Sequence, residues 1–293
     1  MTEAEARDQL RNILAALEVR RGGTVYLGID MGHVPLPCYS AELTRDTIRA
    51  REEKWCAFVL RVLREALGPE GTLLVATFTY SYAGQGVPFV LEESPSEVGP
   101  FTEYFRRQPD TIRSLHPLHS ISGVGRHAHA ILDNVGKAEY GAMSPYARLG
   151  EYDTKLLCLG AALAASITYV HHLEQTYGIN HRYTKAIDTP VYRNGERVPG
   201  PWLCFMRYLG VATMLRHEHI EERLRAEGVL REATIDAHPM QCVDVHDVDR
   251  IGYAMLVENP CAFLERPVEV RLDESEVAAA PVADSVVRFV LGR

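Results

Sequence analysis

Apolar positions recur along this chain at two periods. At the N-terminus Leu10, Ile13, Leu14 and Leu17 fall at helical spacing behind Thr2 and Glu5, which stand at capping-box spacing. A helix is therefore predicted, broken at Gly22 and Gly23. "TVYLGIDM" (24–31) is then a mostly apolar, β-branched run, the mark of a buried strand. Residues 41–67 return to helical period, with Trp55, Phe58, Val59, Val62 and Leu63 on one side, and "GPEG" (68–71) stops them. "TLLVATFTYS" (72–81) reads as a second buried strand. Strand, long helix, strand is the order of a βαβ unit, so a parallel or mixed sheet flanked by helices is expected.

The second half continues the alternation. A loop (82–93) leads to a helix in "SPSEVGPFTEYFRRQ" (94–108), opened by Ser, Pro and Glu and carrying Phe101, Tyr104 and Phe105 inward. "SLHPLHSISGVG" (114–125) runs from a loop into a short strand, with His119 expected at the surface. "SPYARLGEYD" (144–153) reads as a short helix, "KLLCLGA" (155–161) as a buried strand, and "SITYVHHLEQTYG" (166–178) as a helix after it. Asn194-Gly195 between two β-like runs predicts a hairpin. "HIEERLRAEG" is an exposed helix, and the helix in "DVHDVDRIGYAMLVENP" stops at Asn259-Pro260. With no linker-like composition, the expectation is one α/β domain over 1–265 with β-hairpin additions, and a valine-rich extension (266–293) packing as a last strand.

Composition narrows the function classes. The 293 residues are 46% hydrophobic and 24% charged, a folded globular profile, and the net charge of −8 argues against nucleic acid or anionic membrane as the main partner. The six cysteines form no CxxC pair, the start "MTEAEARDQL" is charged, and no apolar run approaches the ~20 residues that cross a bilayer, so a cytoplasmic protein is expected. There is no GxSxG, no Walker loop, no HExxH and no GxGxxG after a strand. The clusters "HEH" (217–219) and "HDVD" (246–249) are read as solvated surface, and no metal is expected.

The candidate chemistry lies in "SITYVHHLEQTYG". On a helix, Thr168, His171, Glu174 and Gln175 share a face and His172 points about 100° away. A carboxylate one turn from an imidazole orients the ring and stabilises its protonated form, which suits a general base near neutral pH. The location after a buried strand places it where open α/β sheets bind ligands. A His–Glu pair at this spacing is also common on solvated faces, but the large apolar neighbours Ile167, Tyr169, Val170 and Leu173 set this one apart. The "SPSEVG" turn offers backbone N–H groups to an anion or is a plain helix cap.

The ordered blocks "GGTVYLGIDM", "LGPEGTLLVATFTYS", "SPSEVGPFTEYFRRQP", "RSLHPLHSISGVG", "SPYARLGEYDTKLLCLGA" and "TYVHHLEQ" resemble the aminoglycoside 3-N-acetyltransferase family over residues 5 to 264. The resemblance implies an α/β fold distinct from that of GCN5-related acetyltransferases, and acyl transfer from acetyl-CoA or another acyl-CoA to a small-molecule amine. It implies a catalytic Thr-x-x-His-x-x-Glu set of Thr168, His171 and Glu174. It also implies a coenzyme A side lined by Asp30, Met31, Thr79, Ser94, Ser96, Arg113, Ser114 and His116, with Arg113 meeting a phosphate. Where the family has a His-Ser-Ser type sequence this chain has Gly28, Ile29 and Asp30, and "AALAAS" (161–166) carries no acid. Those departures point to a biosynthetic or uncharacterised branch and to an acceptor other than a typical aminoglycoside. An acyl carrier protein as donor, a homodimer, and a non-catalytic binding role on the same fold are left open.

Overall fold

The structure, a computed structural model, describes residues 1–38, 45–82, 87–207 and 214–268. The elements in order are α1 (Glu3–Ala16), β1 (Thr24–Ile29), α2 (Arg45–Leu67), β2 (Thr72–Ala76), β3 (Phe89–Val90), α3 (Pro100–Arg106), β4 (Ile112–Arg113), β5 (Ile121–Gly125), α4 (Ala128–Leu132) and α5 (Pro145–Leu149). There follow β6 (Thr154–Leu159), α6 (Leu163–Ser166), α7 (Val170–Tyr177), β7 (Arg182–Ile187), β8 (Val191–Arg193), β9 (Glu196–Val198), β10 (Trp202–Arg207), α8 (Glu218–Ala226), β11 (Arg231–Ile235), β12 (His238–Asp244) and α9 (Val245–Glu258). The expected last strand in 266–293 falls almost wholly outside the described residues.

A seven-stranded mixed sheet in the order β11-β12-β6-β1-β2-β5-β4 forms the centre. Its middle strands β6, β1 and β2 run parallel, and β12 and β5 flank them antiparallel. The apolar runs of the middle strands are continuous because both faces are covered. Along β1, Tyr26 joins one core with α4, α5, α7, α8 and α9, while Val25 and Leu27 join another with α1, α2 and α3. The two-residue side-chain period of a strand produces this division, and Leu156 against Leu157 repeats it on β6. Two smaller sheets, β7 with β10 and β3-β8-β9, complete the second half.

Several boundaries move for local reasons. The capping box of α1 forms as predicted, with Thr2 Oγ1 accepting from Glu5 N at 3.2 Å and Glu5 Oε2 from Thr2 N at 2.7 Å. The hairpin turns at Asn194 (φ 53°) and Gly195 (φ 76°), the left-handed pair that a tight β-turn requires. The helix expected from 94 begins only at Pro100, after Gly99. The helix expected over 166–178 is two pieces, because Ile167 (φ −80°, ψ 66°) breaks α6 from α7. Thr168 therefore sits in the connecting turn, not on the face of α7.

Candidate active site

The carboxyl end of β6 turns at Gly160 (φ +78°), where a Cβ would stand 2.5 Å from Asp30 O, and the chain enters α6. The free N–H groups of α6 are met by distant side chains: Leu163 N donates to Gln241 Oε1 at 2.5 Å and Ala164 N to Glu221 Oε2 at 2.9 Å. Below, Gly28 of β1 lies so close to α6 that a Cβ there would be 2.7 Å from Ser166 Cβ. The loop leading into α7 is thus held from both sides.

From α7, His171 Nδ1 donates to Glu174 Oε2 at 2.8 Å. The Glu174 carboxylate is fully buried and saturated: His181 Nε2 lies 3.3 Å from Oε1, and Arg182 Nε lies 3.2 Å from the same Oε2 that holds His171. Burial pushes the Glu174 carboxyl up, but the bonds from His171 and His181 and the nearby charges win and hold it ionised, below the usual range. His171 keeps 14% of its side chain exposed, and its Nε2 has one neighbour, Arg182 Nη2 at 3.5 Å. The ring also meets Tyr140 and His217 edge-on, with centroids at 5.9 and 5.5 Å.

The expected boost to His171 basicity is reversed in this setting. Glu174 does raise its proton affinity, but burial first, and then the Arg182 charge, pull it down to about 4. His171 is accordingly a free base with its proton on Nδ1 and its lone pair on Nε2. His172 is a different residue in kind. It is buried, its Nδ1 accepts from Gly141 N at 3.2 Å, and its ring lies on Tyr169.

The residues expected on the coenzyme A side have mostly inward uses. Arg113 donates to Ser94 O (2.5 Å), Thr77 O (2.6 Å) and Ser120 Oγ (2.9 Å) and lies over the Phe89 ring. Its guanidinium is thereby engaged by groups of the chain itself. Thr79 Oγ1 donates to Pro117 O, Ser94 Oγ accepts from Val90 N, and Ser114 Oγ accepts from Ile121 N. In the "SPSEVG" turn, Ser94 N, Ser96 N and Glu97 N are taken by Val90 O, Glu103 Oε2 and Phe78 O. Ser96 Oγ meets Thr102 Oγ1 at 2.7 Å. Asp30 caps the turn after β1 by accepting from Gly32 N, and lies 3.1 Å from His33 Nδ1, while Met31 is buried beside it.

Sequence reasoning missed a second imidazole–carboxylate pair. His119, expected at the surface, is 14% exposed and packs against Phe78, Tyr80 and Tyr140, with Nδ1 3.1 Å from Oε1 of fully buried Glu139. Burial raises the Glu139 carboxyl, but His119, His116 and the Phe205 N–H bring it down to about 2. The Tyr140 ring packs against both His119 and His171, with centroids at 5.7 and 5.9 Å. His116, Glu139 and Cys204 present ligand-capable atoms within 4.8 Å of one another. However, His116 Nδ1 accepts from Leu118 N and His119 N at 3.2 Å, which leaves the ring proton on Nε2, and burial and then Glu139 hold the Cys204 thiol protonated. His116 Nε2 and Glu139 Oε1 are buried there with no hydrogen-bond partner. The two acidic-histidine clusters are also less solvated than expected: His217 sits on His171, and Asp249 accepts from Tyr169 Oη at 2.8 Å.

A mixed α/β sheet thus carries an imidazole–carboxylate pair beyond the carboxyl end of β6, the end at which open α/β sheets bind ligands. The comparisons give the family. The family model described as aminoglycoside 3-N-acetyltransferase matches residues 50–256, so the chain belongs to that family and is an acyltransferase. It is 27% identical over 230 residues to aminoglycoside N(3)-acetyltransferase VII of Streptomyces paromomycinus, covering 68% of this chain and 78% of that one. It is equally similar to aminoglycoside N(3)-acetyltransferase VIII of Streptomyces fradiae, over 66% and 77%. Among solved structures, that of AAC-IIIb in binary complex with CoASH superposes with a TM-score of 0.70 at 24% identity, over 89% of this chain and 98% of that one. Among the described residues no helix is long and apolar enough to cross a membrane.

Proposed function

We propose that the protein transfers an acyl group, acetyl in the first instance, from acyl-CoA to an amine of an aminosugar or related natural product, with His171 as general base. The observation that carries this is the His171–Glu174 pair, which puts the ring proton on Nδ1 and leaves the lone pair of a partly exposed ring on Nε2. A neutral amine attacks the thioester carbonyl, and the new C–N bond makes its nitrogen cationic and far more acidic. His171 Nε2 takes that proton while Glu174 compensates the imidazolium charge. The tetrahedral intermediate then collapses, the C–S bond breaks and the thiolate leaves. No covalent enzyme intermediate is needed.

Acceptor choice follows from charge. Glu174, which holds His171, and Glu139, which holds His119 across the Tyr140 ring, are buried and already paired. A polycationic acceptor gains little from them, which favours an acceptor with few amino groups. The internal use of Arg113 and the "SPSEVG" N–H groups supports a second reading, an acyl group delivered on a carrier protein. Purified protein offered acetyl-CoA and an acyl carrier protein with a panel of aminosugars and aminoglycosides, product being read by mass, tests both. Acylated amine from acetyl-CoA alone supports the first donor, and turnover with no acyl-CoA removes it.

A further inference from the structure

Arg182 opens β7, on a different element from the His–Glu pair, and its side chain is 6% exposed. Its guanidinium is placed by three independent contacts: Nη1 donates to Phe205 O at 3.3 Å, the plane lies over the Phe205 ring, and Nε faces Glu174 Oε2 at 3.2 Å. Nη2 is thereby brought to 3.5 Å from His171 Nε2. The same cation touches both ends of the pair, the carboxylate oxygen that holds the Nδ1 proton and the nitrogen that has to stay empty.

We propose that Arg182 is a positioning residue for acyl transfer, one that holds His171 as a free base with its only proton on Nδ1. This rests on the reading of His171 as the base. By neutralising Glu174 Oε2, Arg182 weakens the carboxylate's pull on a second ring proton. By pointing a donor at Nε2 it occupies the lone pair with a partner that has no lone pair to offer in return. The amine displaces that weak contact and finds a base that is already unprotonated.

Burial is the larger cause of the ring's low proton affinity and Arg182 the next, ahead of the other charged and titratable groups around it. Glu174, on the same helix, favours the protonated ring. His217, before α8, acts in the same direction as Arg182 but follows it among the causes, and the Tyr140 ring lies edge-on. His181 faces the far oxygen of Glu174, and Arg207 and Glu139 act on Arg182 from β10 and from the segment before α5.

The test is a histidine NMR titration of the ligand-free protein, His171 being assigned by its loss in His171→Ala. In the wild type, the His171 ring stays unprotonated to about pH 5, well below its ordinary value of 6.5. In Arg182→Met its midpoint moves up by a unit or more, about tenfold in proton affinity, and in Arg182→Lys it stays low. A wild-type ring that protonates near its ordinary value overturns the proposal, and so does a folded Arg182→Met with an unmoved midpoint. Activity supplies the second readout. The ratio of Arg182→Met to wild type falls about twofold between about pH 8 and about pH 5 and further below that, whereas the Arg182→Lys ratio stays flat. Substrate ammonium titration cancels in these ratios. A midpoint that moves as stated with a flat Arg182→Met ratio instead removes His171 as the base and leaves the role of Arg182 on its protonation intact.

Discussion

Glu174 Oε2 accepts from His171 Nδ1 across 2.8 Å, from a position three residues on along α7. Two adjacent histidines begin that helix, and this bond separates their roles. It fixes the tautomer of His171 and leaves the lone pair on Nε2, while His172 turns to Gly141 and the interior.

His171→Ala is expected to lower turnover by roughly 10²–10⁴-fold with little change in acyl-CoA KM, as loss of a general base implies. His172→Ala should instead lower the melting temperature, since it removes a buried ring, and leave kcat within about tenfold. Steady-state kinetics and a thermal melt on the two variants check this. Equal kinetic losses would contradict the separation.

Glu174→Gln strips the negative charge from a carboxylate that faces His171, His181 and Arg182. Removing one partner of such a buried set costs about 3–5 kcal/mol, so urea unfolding should show a large drop in midpoint. Activity should fall with it. Glu174→Asp, which keeps the charge but shortens the reach, should recover part of the stability and less of the rate.

Glu139 ties stability to pH. Its folded carboxyl sits at about 2 against an ordinary 4.5, so the unfolded chain binds the proton more readily. The stabilisation is full above about pH 5 and is lost as pH falls through 4 toward 2. Glu139→Gln should be less stable at neutral pH and show a flatter decline in acid. Denaturation midpoints measured across that range would reveal a parallel decline if Glu139 were not the group.

Gly28→Ala tests the contact under the catalytic loop. Its Cβ would meet Ser166 Cβ at 2.7 Å, where a backbone-proximal atom has little room to move. Overpacking of this kind costs about 1–3 kcal/mol, and the displaced loop leads directly to His171, so kcat should fall beyond what the stability loss explains. Gly28→Ala combined with Ser166→Gly should restore both. Failure of the pair to do so would show that space at this contact is not what matters.

Much of the frame can be read in the chain because it is local. The capping box of α1, the continuous apolar runs of β1, β2 and β6 and the Asn194-Gly195 turn each depend on residues close in sequence. His171 and Glu174 are found for the same reason, being three residues apart. Arg182 and Glu139 are not, since each joins the site only when β7 pairs with β10 and the segment before α5 folds against Phe205. Their one sequence signal is a charge beside aromatic or apolar neighbours, as in "HRY" and "AEYG", which is weak. Thr168 shows the opposite limit. A regular helix puts it on the face of His171, but a single ψ of 66° at Ile167 takes it off. The inward use of Arg113 likewise depends on carbonyls of Thr77, Leu91 and Ser94, none adjacent to it in sequence.

The pairing of β6 has a consequence for synthesis. One edge of this strand, which delivers the chain to α6 and α7, is closed by β1, and the other by β12, more than seventy residues further on. Gln241, which meets the start of α6, comes from that same late strand. A nascent or truncated chain ending before residue 238 holds every member of the His171 cluster yet presents β6 as an open edge, a template for pairing with another chain. Premature stops between residues 218 and 237 should therefore yield aggregate instead of a shortened, weakly active enzyme.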